Sequence, residues 1–359
     1  MSAITELMRP DLRDFAGYAS ARRSAASGRV WLNANESPLA SPADASGRLN
    51  RYPDPQPGAL RERLATLYGV SPAQLMLTRG SDEGIDLLVR GFCRAGIDPV
   101  LIAPPCFGMY AVSARLQNAP LIEVPLRDEG DAWRFDLDGI AEAALAKRAR
   151  LVFLCSPGNP TGQALTIAEI EWLLDRLQGR ALLVIDEAYV EYSRQPSASG
   201  LLATCPALVV LRTLSKAYAL AGARIGALLG DPALVQFLRN LSAPYPIAAP
   251  SAELALSGSG EAGVMEARRR VEGVLRERER LRQALSAAPG VRRVYASQGN
   301  YLLARFDDAE AMLSRWLDAG IVVRDMRAMP GLGDALRISI GTPAENDQLL
   351  ATLRQEACA

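Results

Sequence analysis

Residues 181–189 read ALLVIDEAY. Five apolar residues stand in a row with no polar residue between them, which describes a strand buried on both faces. Asp186 then ends the run with a carboxylate, a group that a buried strand end must supply with a partner. A strand of this kind belongs to a parallel sheet covered by helices on both sides.

The neighbouring stretches agree. LMLT (75–78), PVLIAP (99–104), PLIEVP (120–125), LVFLCSP (151–157), ALVVLRT (207–213) and RIGALLG (224–230) are further apolar runs of strand length. Between several of them lie helical patterns, GALRERLATLYG (58–69), SDEGIDLLVRGFC (81–93) and TIAEIEWLLDRLQG (166–179). The alternation predicts an α/β fold with a mostly parallel central sheet covered by helices. Past LSAPYPIAAP (241–250) the pattern changes. A long helical region runs to about 288, then strands are predicted in VRRVYA, YLLARF, GIVVRD and ALRISIG, with helices at 308–319 and 343–357. That layout predicts a smaller α+β C-terminal domain. Residues 1–28 read as an arm opening with a short helix. VWLNANESPLASP (30–42) reads as a short strand entering a loop, and RYPDPQPG (51–58), with three prolines, as a rigid turn. The expected limits are an arm and entry segment over 1–45, a large domain over 46–250 and a small domain over 251–359.

The 359 residues carry no net charge, and 22% charged with 49% hydrophobic residues is an ordinary globular composition. Nothing there favours nucleic acid or an anionic membrane surface. EARRRVEGVLRERERLR (266–282) interleaves both signs of charge with apolar residues and reads as an exposed amphipathic helix. With no long apolar run and no leader pattern, a cytoplasmic protein is expected. The five cysteines have no paired spacing and are expected to be buried thiols of a reducing compartment, with no metal site. Histidine is absent altogether, which excludes Ser-His-Asp and Cys-His catalysis. Proton transfer must fall to lysine, a carboxylate, tyrosine, cysteine or a cofactor.

Of the 40 basic residues only two are lysines, Lys147 and Lys216. A guanidinium stays protonated, whereas a desolvated ε-amine can lose its proton and condense with a carbonyl. Lys147, in ALAKRAR, reads as a solvated helix-end charge; Lys216, in LRTLSKAYALAGARIG (211–226), is the candidate for chemistry. Its surroundings match the four needs of a lysine-linked pyridoxal phosphate: partners for an aldehyde, a pyridine nitrogen, a phenolic oxygen and a phosphate. Asp186 can face the nitrogen and Tyr189 the phenolic oxygen, joined by Asn159 of CSPGNPTG (155–162). Gly80, Ser81 and Asp82 stand where a helix begins, a natural anion site. Arg224 can clamp the same phosphate, with Thr213 and Ser215 donating hydroxyls. Tyr110, in PPCFGMY, is a candidate to lie against the ring.

Together, SPGNPTG, DEAY and TLSKAYALAGARIG resemble the fold-type-I pyridoxal-phosphate aminotransferases over essentially the whole chain. More narrowly the chain is similar to the histidinol-phosphate aminotransferases, through LNANESP (32–38), RYPDPQP (51–57), RGSDEGIDLLVR (79–90), APYPIAAP (243–250), VVRD (322–325) and LRISIGT (336–342). Gly158 replaces an asparagine often seen in that family. The resemblance implies that Lys216 is the Schiff-base lysine and carries the proton shift. It implies that Tyr52 reaches the cofactor phosphate from a neighbouring subunit, which requires a homodimer. Arg337 would bind a substrate carboxylate, joined by Arg324 and Tyr18 for the phosphate of histidinol phosphate. Glutamate and 2-oxoglutarate would complete a ping-pong cycle in histidine biosynthesis. An aromatic aminotransferase and a threonine-phosphate decarboxylase share these features and are the alternatives. A regulatory binding module and a Ser215–Lys216 hydrolase fit less, since no fused interaction domain or oxyanion-hole motif is evident.

Overall fold

The computed structural model describes residues 3–18, 20, 28 and 30–354. Strands β1 (Leu75–Thr78), β2 (Val100–Ile102) and β3 (Leu121–Glu123) are followed by a hairpin of β4 (Arg127–Asp128) and β5 (Trp133–Arg134). Next come β6 (Leu151–Cys155), β7 (Leu182–Asp186), β8 (Leu208–Thr213) and β9 (Gly226–Leu229). Seven of these form one sheet in the order β1-β9-β8-β7-β6-β2-β3. Neighbours from β3 to β8 are parallel, and β9 runs antiparallel to both β8 and β1. The sheet is therefore mostly parallel, as the apolar runs predict.

Period-two alternation divides each central strand between two hydrophobic clusters, one per face. Leu183 and Ile185 of β7 join Val152, Leu154, Leu208 and Val210 on one side. Leu182 and Val184 join Leu151, Phe153, Val209 and Leu211 on the other. Helices cover both faces, with Gly58–Tyr68, Ser81–Phe92 and Ile167–Leu177 close to their predicted limits. The last begins at Thr166, whose hydroxyl accepts from the Glu169 N–H while the Glu169 carboxylate accepts from the Thr166 N–H.

A second, antiparallel sheet holds β10 (Val291–Val294), β11 (Tyr301–Phe306), β12 (Arg324–Asp325) and β13 (Ala335–Ser339), in the order β10-β11-β13-β12. Its own apolar cluster is centred on Trp316, which meets Phe306 edge-on at 5.5 Å. The long helical region is two helices, Ala249–Gly258 and Glu261–Ser286.

Two expected strands differ. Residues 30–42 form a loop, with Asn35 at φ +54°, held by the Glu36 carboxylate, which takes the Arg51 guanidinium and the Tyr52 N–H. Side chains there satisfy what a strand would give to a neighbour. GIVVRD pairs only at Arg324 and Asp325, the edge of the second sheet, and leaves Val322 exposed. Cys93 and Cys155 are buried thiols, whereas Cys106 and Cys205 are partly open to solvent; Cys358 lies outside the described residues. No helix among the described residues is long and apolar enough to cross a membrane.

Candidate active site

The alternation that builds the core also builds the site. Cys155, Asp186 and Thr213 end three adjacent parallel strands, and each falls on the same face of the sheet as the second cluster. Ligand sites form at such carboxyl ends. The loops leaving these strands carry Asn159, Tyr189 and Lys216, and all six line one cleft.

The antiparallel strand β9 completes it. Gly226 pairs with Thr78 on one side and Thr213 on the other, which brings the segment before Ser81 beside the segment before Lys216. The approach is close: a Cβ on Gly226 would lie 2.5 Å from the Gly80 carbonyl carbon and 2.8 Å from the Ser81 nitrogen. Gly80 itself has φ +74° and caps the helix Ser81–Phe92, whose first N–H groups have no carbonyl within the helix. Arg224 holds φ +55°, a conformation costing a non-glycine residue about 1–2 kcal/mol. That turn lays its guanidinium over Gly80 and within 3.1 Å of the Asp82 carboxylate. The Thr213 hydroxyl donates to the Ile225 carbonyl at 3.2 Å and lies 2.9 Å from that of Ser215. Free N–H groups, a guanidinium and two hydroxyls form a cup suited to a phosphate.

Asp186 is 2% exposed. Its carboxylate accepts from the Tyr110 hydroxyl at 2.7 Å and the Ala188 N–H at 3.1 Å. Burial pushes its pKa up to about 6, against the lowering effect of those two bonds. No ion pair reaches it among the described residues, so a buried anion faces the cleft with hydrogen bonds alone. A protonated pyridine nitrogen is the kind of partner such a carboxylate requires. Lys216 extends into the same cleft, its Nζ 5.7 Å from the centre of the Tyr189 ring. Burial and then the positive charge of Arg337 lower its pKa, favouring the unprotonated amine that can attack a carbonyl. Lys147, by contrast, ends the helix Leu137–Ala146 on the surface.

Asn159 is pinned between two partners. Its amide nitrogen donates to the Tyr189 hydroxyl at 3.3 Å, and its oxygen accepts from Arg337 Nη1. The Arg337 Nε is buried and has no hydrogen-bond partner among the described residues, which leaves one donor of the guanidinium unused.

Three expected residues stand apart from the cleft. Tyr52 stacks on Tyr245 at 4.5 Å and is half-exposed; Tyr18 is 65% exposed in the arm. Arg324 is exposed on β12, opposite Arg337 in the register. Tyr110 requires a correction. It is buried behind Asp186, stacked on Phe153 at 5.0 Å, and Phe107 lines the cleft instead. The cause is the helix Met109–Leu116, whose inward face carries Tyr110, Ser113 and Ala114. Phe107 precedes the helix and stays in the loop at the strand end. Sequence reading missed it because two aromatics three residues apart compete for one role; its place before the helix was the available signal.

The residues present thus fit a group bearing an aldehyde, a protonated ring nitrogen, a phenolic oxygen and a phosphate. Residues 19–353 match the family Aminotransferase class I and II. The chain belongs to this family. The aminotransferase is 58% identical to a histidinol-phosphate aminotransferase of Stenotrophomonas maltophilia, covering 99% of this chain and 98% of that one. A second, from Xylella fastidiosa, is 56% identical over 98% of this chain and 96% of its own. Among solved structures, the histidinol-phosphate aminotransferase of Sinorhizobium meliloti in complex with pyridoxal-5'-phosphate superposes with a TM-score of 0.77. It is 28% identical, with 88% of this chain and 86% of that one covered. An L-threonine-O-3-phosphate decarboxylase from Porphyromonas gingivalis shares the fold at a TM-score of 0.74 and 24% identity.

Proposed function

We propose that this aminotransferase converts L-histidinol phosphate and 2-oxoglutarate to imidazole-acetol phosphate and L-glutamate, a step of histidine biosynthesis, with pyridoxal 5'-phosphate as cofactor. The observation that carries the chemistry is Lys216, the only lysine in the cleft, beside a buried Asp186 that forms no ion pair among the described residues. The substrate assignment is supported by full-length relatives at 56–58% identity that bear the name.

When bound, the cofactor supplies an aldehyde for amino groups and a ring that takes up an electron pair. Lys216 would hold it, and its amine would take the proton from the amine-bearing carbon of the substrate. Its lowered pKa suits that work. Asp186, ionised at neutral pH, keeps the ring nitrogen protonated, and Tyr110 fixes the direction of its carboxylate. Asn159 and Tyr189 hold the phenolic oxygen. Ser81, Asp82, Thr213, Ser215 and Arg224 hold the phosphate. Phe107 covers the ring in the place expected for Tyr110. The same cleft serves donor and acceptor in turn, which makes the cycle ping-pong.

Arg337 receives the substrate anion, aided by Arg324 and Tyr18 when that anion is a phosphate. Tyr52 joins the site from a second copy of the chain in a homodimer. That assembly is supported by the exposed apolar side chains of the same segment, Leu32 at 90% and Leu39 at 77%. A large domain over 46–250 and a small one over 251–359 are supported by two separate sheets. The enzyme works in the cytoplasm, consistent with its thiols.

Purified protein assayed with histidinol phosphate and 2-oxoglutarate, against phenylalanine and threonine phosphate, tests the substrate. Preference for phenylalanine, or carbon dioxide release without a keto acid, would overturn it.

A further inference from the structure

Tyr301 belongs to β11 in the second sheet, yet its side chain reaches the loops that carry the site of the first. It is 2% exposed. Its hydroxyl donates to the Gly158 carbonyl at 2.6 Å, the residue before Asn159. Its ring meets Tyr189 edge-on, 5.1 Å between centroids. The Arg337 guanidinium lies over the same ring, 5.5 Å from its centre. One side chain therefore touches the Asn159 loop, Tyr189 and Arg337, three elements that the Asn159 amide also links.

The surrounding backbone is shaped to deliver it. A Cβ on Gly299 would fall 2.6 Å from the Tyr301 ring, so only glycine leaves that ring its place without displacement. The Gly299 carbonyl accepts from Arg278 at 2.7 Å, and the Gln298 N–H donates to the Gly162 carbonyl at 2.8 Å. The Gln298 side-chain oxygen accepts from Ser193 and from the Arg194 N–H. The segment leading into Tyr301 is thus tied to both loops that frame the cleft.

We infer that Tyr301 is the positioning residue that keeps the anion-binding Arg337 in register with the Asn159–Tyr189 pair across the two sheets. Its ring serves Arg337, by a cation–π contact and a fixed platform. Its hydroxyl serves Asn159, by pinning the preceding carbonyl, so the two parts of the side chain have separable effects. The inference rests on the roles of Arg337, Asn159 and Tyr189 proposed above.

The test compares Tyr301→Phe with Tyr301→Leu in the holoenzyme. Tyr301→Phe keeps the ring and loses the bond. It is expected to leave KM for histidinol phosphate and 2-oxoglutarate within about two-fold of the parent, because the platform under Arg337 survives. The pH midpoint of the visible cofactor band should shift by about half a unit or more, as the Gly158 carbonyl, left with the Gly162 N–H, lets Asn159 move against the phenolic oxygen. Tyr301→Leu removes the platform as well, and KM for both anionic substrates should rise about ten-fold. Circular dichroism verifies that both variants fold. Parental KM and parental midpoint in both variants, with only a lower melting temperature, would reduce Tyr301 to a packing residue and overturn the inference. A parent protein that shows no visible band when loaded would instead refute the cofactor roles beneath it.

Discussion

Replacing Asp186 with asparagine tests the electrostatics of the site without any substrate. The carboxyl is buried, and its pKa rises from 3.8 to about 6. A rise of about two units, at ~1.4 kcal/mol each, means the folded chain spends ~3 kcal/mol to hold the anion. The folded pKa lies above the unfolded one. The cost is therefore absent below about pH 4, grows as the pH climbs to 6 and is complete above that. Asp186→Asn removes the titrating group while keeping its shape and an acceptor for Tyr110. Urea denaturation of cofactor-free parent and variant, at matched protein concentration from about pH 4 to pH 7, measures the difference. The parent should lose ~3 kcal/mol relative to the variant across that window. Loading with pyridoxal phosphate should return this to the parent and not to the variant, because only a carboxylate pairs with the protonated nitrogen. A difference that stays flat with pH would mean Asp186 carries no such strain, and the case for a waiting cationic partner would fail.

Three other perturbations have defined outcomes. Lys216→Ala should abolish transamination while circular dichroism stays parental, since the lost amine faces the cleft and not the core. Arg324→Ala should weaken histidinol phosphate more than glutamate by about 1.5–3 kcal/mol, read from kcat/KM for each; equal losses would show that the arginine does not select phosphate. Gly226→Ala forces a methyl against Gly80 and Ser81, so it should cost about 1–3 kcal/mol of stability and raise the cofactor dissociation constant.

The central sheet was legible because a strand buried on both faces has only one sequence solution, a continuous apolar run. The residues just past those runs, Asp186, Asn159 and Lys216, were legible for the same reason: the strand end fixes where they go. Lys216 also stood out chemically, one of two lysines among 40 basic residues. What periodicity cannot convey is which of two nearby aromatics turns inward. A helix starting at Met109 sends Tyr110 beneath Asp186 and leaves Phe107 at the cleft. Nor does local pattern reveal contacts between distant segments, such as Arg337 with Asn159 or Tyr301 with Gly158. The strand expected near residue 30 failed because the Glu36 carboxylate, through Arg51 and the Tyr52 N–H, organises that segment as a loop.

The most direct measurement is to load the purified protein with pyridoxal phosphate, reduce it with borohydride and map the modified peptide by mass spectrometry. One covalent adduct is expected, on Lys216. An adduct on Lys147, or none at all, would contradict it.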